Sequence, residues 1–328
     1  MEKTRWGILG TGRIANEFAE GLTSVDSAEL VAVGSRSQAS ADAFGAKWSA
    51  SRCHPTYEAL AMDEDVDIIY ISTPHTFHRD HTMLCLKAGR HVLCEKPFAI
   101  NVEESAEMIN FARASDLFLM EAMWTRYLPL YVKLREILAE GRIGEPRMMH
   151  ATFGFHRTFD PQDRLFNPDL GGGALLDIGI YVISLASMVF GEADTVGGIA
   201  HIGKSGVDES NAIILGYTNG AFASLTSTIT GDTAQDASII GTKGSIYIDG
   251  PFWRGSSMRI KMNDSEEEEL IACPQLGNGY NYEALEAGEC LRLGKFESAV
   301  MPLDETFSIM ETLDELRDMW DLTYPSEL

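Results

Sequence analysis

One stretch constrains the fold more than any other: Arg5-Trp6-Gly7-Ile8-Leu9-Gly10-Thr11-Gly12-Arg13-Ile14-Ala15. Its first half is short and apolar, as a buried parallel strand requires. Its second half reads G-x-G-x-x-A, and Ile14, Phe18 and Leu22 then fall on one face of a helix. Strand, glycine turn and helix make the dinucleotide-binding fingerprint. Gly10 permits the tight turn, Gly12 lets the backbone approach a pyrophosphate, and Ala15 keeps the helix close to the sheet. The N-terminus of that helix offers N–H groups and a positive dipole end to the anion. A second strand, Glu29 to Ser35, follows at the distance a βαβ unit needs.

That second strand runs out through Gly34-Ser35-Arg36-Ser37. A site that prefers NAD usually carries Asp or Glu here, to bond the ribose 2′-hydroxyl. Ser35 and Arg36 instead suit a 2′-phosphate, the arginine by charge-assisted hydrogen bonds, so NADP is expected over NAD. The alternative for Arg36 is an ordinary solvated loop residue.

With 328 residues the chain is long for one hydrophobic core, and two domains are expected. The boundary falls near the end of the strand Leu117–Met120, giving a dinucleotide-binding domain at 1–122 and a second domain at 123–328. A formal net charge of −23 argues against nucleic acid and anionic membranes as partners. It also repels a dinucleotide, so positive groups at the site must overcome the global field. The five cysteines are scattered, odd in number and without a C-x-x-C pair, which suits reduced thiols. The start leads directly into a strand rather than a secretory signal, and no apolar run reads as a membrane span. A cytoplasmic protein is expected.

Further strands deliver polar residues to the edge where such sheets bind ligands. Asp67–Thr73 stops at Pro74, and His75, His78 and His81 follow at spacings of three. A metal reading of these histidines lacks a carboxylate or cysteine partner. His75 and His78 are expected near the nicotinamide end, with His81 on a helix surface. Gly89 fits a helix C-cap. The next strand, Arg90 to Cys94, delivers Glu95-Lys96-Pro97. Pro97 keeps Lys96 extended and can set a cis bond there. A lysine at the end of a central strand is a chemical position, whereas the bland reading is a surface lysine before a turn. Asn101 N-caps a helix with Glu103 and Glu104 in its first turn.

The second half reads as a mostly antiparallel sheet. Strand-like runs occur at 147–155, 195–202, 211–217, 221–229, 237–241, 245–249 and 258–262, with hairpin signals at Thr218-Asn219-Gly220 and Thr242-Lys243-Gly244. Within it, Gly171-Gly172-Gly173 open a nearly all-apolar helix that runs to about Phe190. Asp177 and Tyr181 lie four apart on one face. A buried carboxylate there needs a partner, and Gly179 weakens the helix, which implies a close approach. The bland reading is a core tyrosine with a structural aspartate.

Taken together, Gly-Ile-Leu-Gly-Thr-Gly-Arg-Ile-Ala, Glu95-Lys96-Pro97, Glu121-Ala122-Met123-Trp124-Thr125-Arg126 and Gly172–Tyr181 resemble the glucose–fructose oxidoreductase/inositol dehydrogenase family over almost the whole chain. Within it the chain resembles the branch of trans-1,2-dihydrobenzene-1,2-diol dehydrogenase and NADP-dependent D-xylose 1-dehydrogenase. Many members carry Asp-x-x-x-His where this chain has Asp177-x-x-x-Tyr181, a departure that agrees with that branch and disfavours inositol. The resemblance implies an α/β fold: an N-terminal Rossmann domain with a doubly wound parallel sheet, and a C-terminal α+β domain with an open, mostly antiparallel sheet. It implies homodimers formed through that sheet. The cofactor-binding set is Gly10, Thr11, Gly12, Arg13, Ile14, Ser35, Arg36, Thr73, Pro74, His75, His78, Glu95, Lys96, Trp124 and Arg126. Trp124, Phe153, Phe159, Arg164 and Asn167 are candidates for the substrate pocket, and no metal is implied.

By the same resemblance Lys96 and Tyr181 serve one nicotinamide-dependent reaction, with Asp177 orienting them. Oxidising a hydroxyl requires a hydride to leave carbon and a proton to leave oxygen. A phenol of pKa about 10 is a poor base at neutral pH, and an adjacent ammonium favours its phenolate. Lys96 as the acid–base group itself stays open. The expected function is NADP-dependent oxidation of a sugar or cyclic trans-diol, at a CH–OH or CH–CH donor. An NADPH-dependent keto-sugar or dicarbonyl reductase is the alternative. Loss of Lys96 or Tyr181 would favour a non-enzymatic dinucleotide-sensing regulator, and both are present, so that reading ranks last.

Overall fold

A computed structural model describes residues 3–328. Two compact units divide the chain. The first takes the described residues up to Tyr127 together with Leu276–Phe307; the second takes Leu128–Gln275 and Ser308–Leu328. A single cut between 122 and 123 does not describe this. The segment after 275 returns to the first unit because its helix packs on the helix that follows the glycine turn, where Asn278 donates to the Glu17 carbonyl at 2.7 Å. It also continues the sheet edge, the Leu119 N–H donating to the Phe296 carbonyl at 3.1 Å.

In the first unit β1 (Thr4–Leu9), β2 (Ala28–Gly34), β3 (Arg52–His54), β4 (Ile68–Ile71), β5 (His91–Glu95) and β6 (Leu119–Ala122) form a wholly parallel sheet. Its order is β3-β2-β1-β4-β5-β6. Helices α1 (Arg13–Leu22), α2 (Gln38–Trp48), α3 (Tyr57–Ala61), α4 (His78–Lys87) and α5 (Val102–Ala114) connect the strands. The order reverses at β1 and β4, where a crevice opens at the strands' carboxyl ends. β4 is buried at every residue, as a strand covered on both faces must be. Asn101 caps α5 by accepting the Glu104 N–H at 2.9 Å, and Gly89, after α4, has φ +78°. The sequence foresees both.

In the second unit α6 (Pro129–Ala139) precedes β7 (Pro146–Gly154). A buried helix, α7 (Ile180–Phe190), then leads to β8 (Thr195–Ile202), β9 (Asp208–Gly216), β10 (Phe222–Thr228), β11 (Ala237–Gly241), β12 (Gly244–Ile248), β13 (Ser257–Met262) and β14 (Glu268–Ala272). Their order is β14-β13-β12-β11-β7-β10-β9-β8, antiparallel except for β7 with β10. Both glycine hairpins fall where expected, β9 to β10 and β11 to β12. α8 (Tyr280–Arg292), which the sequence reading lacks, belongs to the first unit, and α9 (Leu303–Met319) follows.

One expectation is corrected. The segment Pro168–Phe190 is long and apolar enough to span a membrane by composition. Of its most apolar window 78% is buried inside the protein, as in the core helix of a folded domain. The sheet face turned away from α7 is open. On neighbouring strands Ile199 (75% exposed), Ile214 (50%) and Phe222 (40%) stand on it, beside Ser224, Thr226 and Thr152.

Candidate active site

At the crevice of the first unit, Gly10 has φ +109°, and a Cβ there would fall 2.6 Å from Ser72 Oγ. Only glycine fits that turn. Gly12 is the N-cap of α1, with nothing within 4 Å of where its Cβ would lie, and no side chain caps the helix. No acidic residue occupies the first turn. This is a backbone cradle suited to a phosphate. Thr11, Arg13 and Ile14 line the same turn, with Arg13 exposed. Thr11 Oγ1 lies 3.4 Å from Ser35 Oγ at the end of β2, and Arg36 beside it is exposed. These residues fit a dinucleotide.

The histidines are placed differently from one another. His78 is wholly buried, its Nδ1 2.8 Å from the Pro97 carbonyl and its Nε2 2.8 Å from the Thr73 carbonyl. It ties the end of β4 to the loop after β5. Burial lowers its pKa to about 4. His75 is buried with its ring 5.9 Å from His78. His81 is half-buried rather than on a helix surface, edge-on to Tyr57 and bonded at 3.0 Å to Thr73 Oγ1. Pro74 precedes this segment.

Glu95 is buried, accepts the Tyr70 hydroxyl and receives the Lys96 N–H at 3.1 Å. The Lys96–Pro97 peptide is cis. Trp124 is buried and stacked on Tyr280 at 4.8 Å, and Arg126 is buried with Nη2 2.6 Å from Glu305. Two further buried acids belong to this unit. Burial pushes Glu121 up to about 7, and Glu283 is raised well above the carboxylate range by burial and then by Glu95. Neither oxygen of Glu283 has a hydrogen-bond partner among the described residues.

In the second unit the glycine run opens a π-helical turn, Leu175–Gly179, before α7 begins. Such turns break the regular ladder and recur at functional sites. Asp177 on that turn is buried and bonded to Arg164 Nη2 at 3.0 Å, which supplies the required partner. Tyr181, in the first turn of α7, is buried among aromatics. Phe153 meets it edge-on at 5.5 Å, and Trp253 lies 6.3 Å from it and stacks on Phe153 at 5.2 Å. Phe159 is exposed and packs on Phe166. Asn167 is spent on its own loop, accepting the Asp169 N–H at 2.9 Å. Ser227 Oγ lies 3.0 Å from where a Gly179 Cβ would be, which is the close approach the glycine implies.

Trp253 is missed by the sequence reading because it follows a loop far from Tyr181 in the chain. Tyr324 is missed too: wholly buried, it donates to the Gly172 carbonyl at 2.7 Å. No periodicity marks either one.

A parallel six-stranded sheet of this order with an uncapped glycine turn at its switch point is the architecture of the dinucleotide-binding domain of an NAD(P)-dependent oxidoreductase. Residues 4–123 match the family model described as oxidoreductase family, NAD-binding Rossmann fold, and residues 131–247 match the GFO/IDH/MocA C-terminal domain. The chain belongs to the GFO/IDH/MocA family of oxidoreductases. Relatives named trans-1,2-dihydrobenzene-1,2-diol dehydrogenase are 37% identical over 335 residues in Mus musculus and 38% over 334 in Homo sapiens, with 98% of both chains covered. Among solved structures, an aldose–aldose oxidoreductase from Caulobacter crescentus superposes with a TM-score of 0.87 at 25% identity, covering 96% of each chain. A 3-ketoreductase from Actinomadura kijaniata, in complex with NADP and TDP-benzene, gives 0.86 at 25% identity over 97% of this chain and 98% of the other.

Proposed function

We propose that this protein is an NADP-dependent dehydrogenase of a sugar or cyclic trans-diol. The observation that carries the reading is the setting of Tyr181, a buried phenol ringed by Phe153 and Trp253 in the first turn of α7, directly after the π-helical turn that holds Asp177 against Arg164. An aromatic wall beside a phenol and a held carboxylate suits a ring-shaped polyol. The names of the relatives, which span the whole chain, support the diol, and that of the aldose–aldose oxidoreductase supports the sugar.

Gly10, Gly12 and the N-terminus of α1 hold the pyrophosphate, and Ser35 with Arg36 take the 2′-phosphate. The bound nicotinamide supplies the hydride acceptor. Tyr181 takes the proton from the substrate hydroxyl with Asp177 orienting the group that acts, and Lys96 is the alternative proton carrier. The N-terminal unit serves the dinucleotide. The C-terminal unit serves the substrate and, through its open sheet face, a second copy of the chain.

The test is a panel read at the nicotinamide absorbance. NADP reduction with D-xylose, other aldoses and a trans-dihydrodiol is set against NADPH oxidation with dicarbonyl sugars. Faster NADP reduction supports the reading. NADPH oxidation alone favours the reductase, and NADP binding with no turnover on any of them overturns both.

A further inference from the structure

The inner face of the second unit's sheet is apolar at Met149, Ala151, Ile213, Leu215, Ala223, Leu225, Ile239 and Ile246, all buried. Asp208, Asn211 and Ser227 interrupt it, and all three are buried. Polar side chains removed from water cost several kcal/mol if they lack partners, so such a group needs a reason to be there. They form one chain. Asp208 Oδ2 accepts the Leu175 N–H at 2.8 Å and the Asn211 side-chain N–H at 2.9 Å. Asn211 Oδ1 accepts the Ser227 hydroxyl at 2.8 Å, the two being cross-strand partners.

Both ends of that chain touch the π-helical turn. Asp208 holds Leu175, its first residue, and Ser227 lies against Gly179, its last. Gly173, just before the turn, has φ +118°, and a Cβ there would overlap Asp208 Oδ1. A turn with irregular hydrogen bonding needs outside partners to keep one conformation. We infer that Asp208, Asn211 and Ser227 are positioning residues for the reaction: they fix the π-helical turn that sets Asp177 and the start of α7, and with it the Tyr181 hydroxyl. The inference rests on the functional reading of Tyr181 given above.

The experiment compares Ser227→Ala, Asp208→Asn and Asp208→Ala with Tyr181→Phe, on whichever of D-xylose or a trans-dihydrodiol the wild type oxidises. It reads kcat, KM, the pH profile of kcat, NADP affinity by fluorescence and the melting temperature. Misplacing a reacting group by about 1 Å can cost a hundredfold. Ser227→Ala is therefore expected to lose about tenfold or more in kcat, with a displaced pH profile and NADP affinity unchanged. Asp208→Asn, which keeps the acceptor, is expected to retain more activity than Asp208→Ala. In the Tyr181→Phe background Ser227→Ala is expected to add little. If Asp208→Ala fails to fold, Ser227→Ala still decides, since it removes only one hydroxyl. Near-normal kcat in Ser227→Ala while Tyr181→Phe is impaired overturns this inference alone, as does an equal loss in both backgrounds. Near-normal turnover in Tyr181→Phe overturns the functional reading and this inference with it.

Discussion

Arg36 stands exposed at the end of β2, next to a serine and with no carboxylate before Asp42. A guanidinium–phosphate contact is worth about 1.5–3 kcal/mol, so Arg36→Asp should weaken NADP binding by roughly ten- to a hundredfold and spare or improve NAD. Binding titrations with both dinucleotides check it, and an unchanged preference would contradict it. Glu121 makes a second case for a single side chain. It is wholly buried, accepts the Thr306 hydroxyl at 3.2 Å and the backbone N–H of Phe98, and its pKa still rises from 4.5 to about 7 because burial outweighs them. The folded protein therefore holds this proton more tightly than the unfolded chain. The stabilisation is complete below about pH 4.5 and is lost as pH rises to about 7. Glu121→Gln should remove a loss on the order of 3 kcal/mol across that window. Urea unfolding at several pH values measures this, and an equally steep decline in the variant would contradict it.

At the scale of elements, the β1–α1 turn binds sequence to fold most tightly. Gly10→Ala puts a Cβ against Ser72 in a left-handed backbone, costing about 1–3 kcal/mol. It should also weaken NADP binding, because the turn that presents Gly12 must shift. A normal melting temperature with normal affinity would contradict that. This turn is legible because glycine spacing is a local signal. Asn101, Gly89, Gly220 and the apolar run of β4 are legible for the same reason. The return of α8 to the first unit is not, since its partner α1 lies some 260 residues earlier and no local pattern encodes the pairing. The π-helical turn is equally hidden. Its sequence fits a regular helix, and the buried Asp208, Asn211 and Ser227 that pack against it come from strands distant in the chain. At the candidate site Tyr181, Asp177, Lys96 and Gly12 stand out in the sequence, whereas Trp253 and Tyr324 reach the glycine-run helix only through tertiary packing.

For the whole molecule, the open sheet face carries isolated apolar side chains among small polar ones, a composition suited to a self-complementary contact. Sedimentation velocity should give twice the 36.1 kDa chain mass, and Ile214→Lys should shift the protein toward the monomer. A wild-type monomer at micromolar concentration would contradict the proposed dimer. The central claim concerns catalysis, and Tyr181→Phe tests it most directly. With substrate and NADP saturating, this variant should lose about 100-fold or more in kcat while binding NADP as the wild type does. Turnover within a few-fold of wild type would remove Tyr181 from the proton transfer and contradict the account.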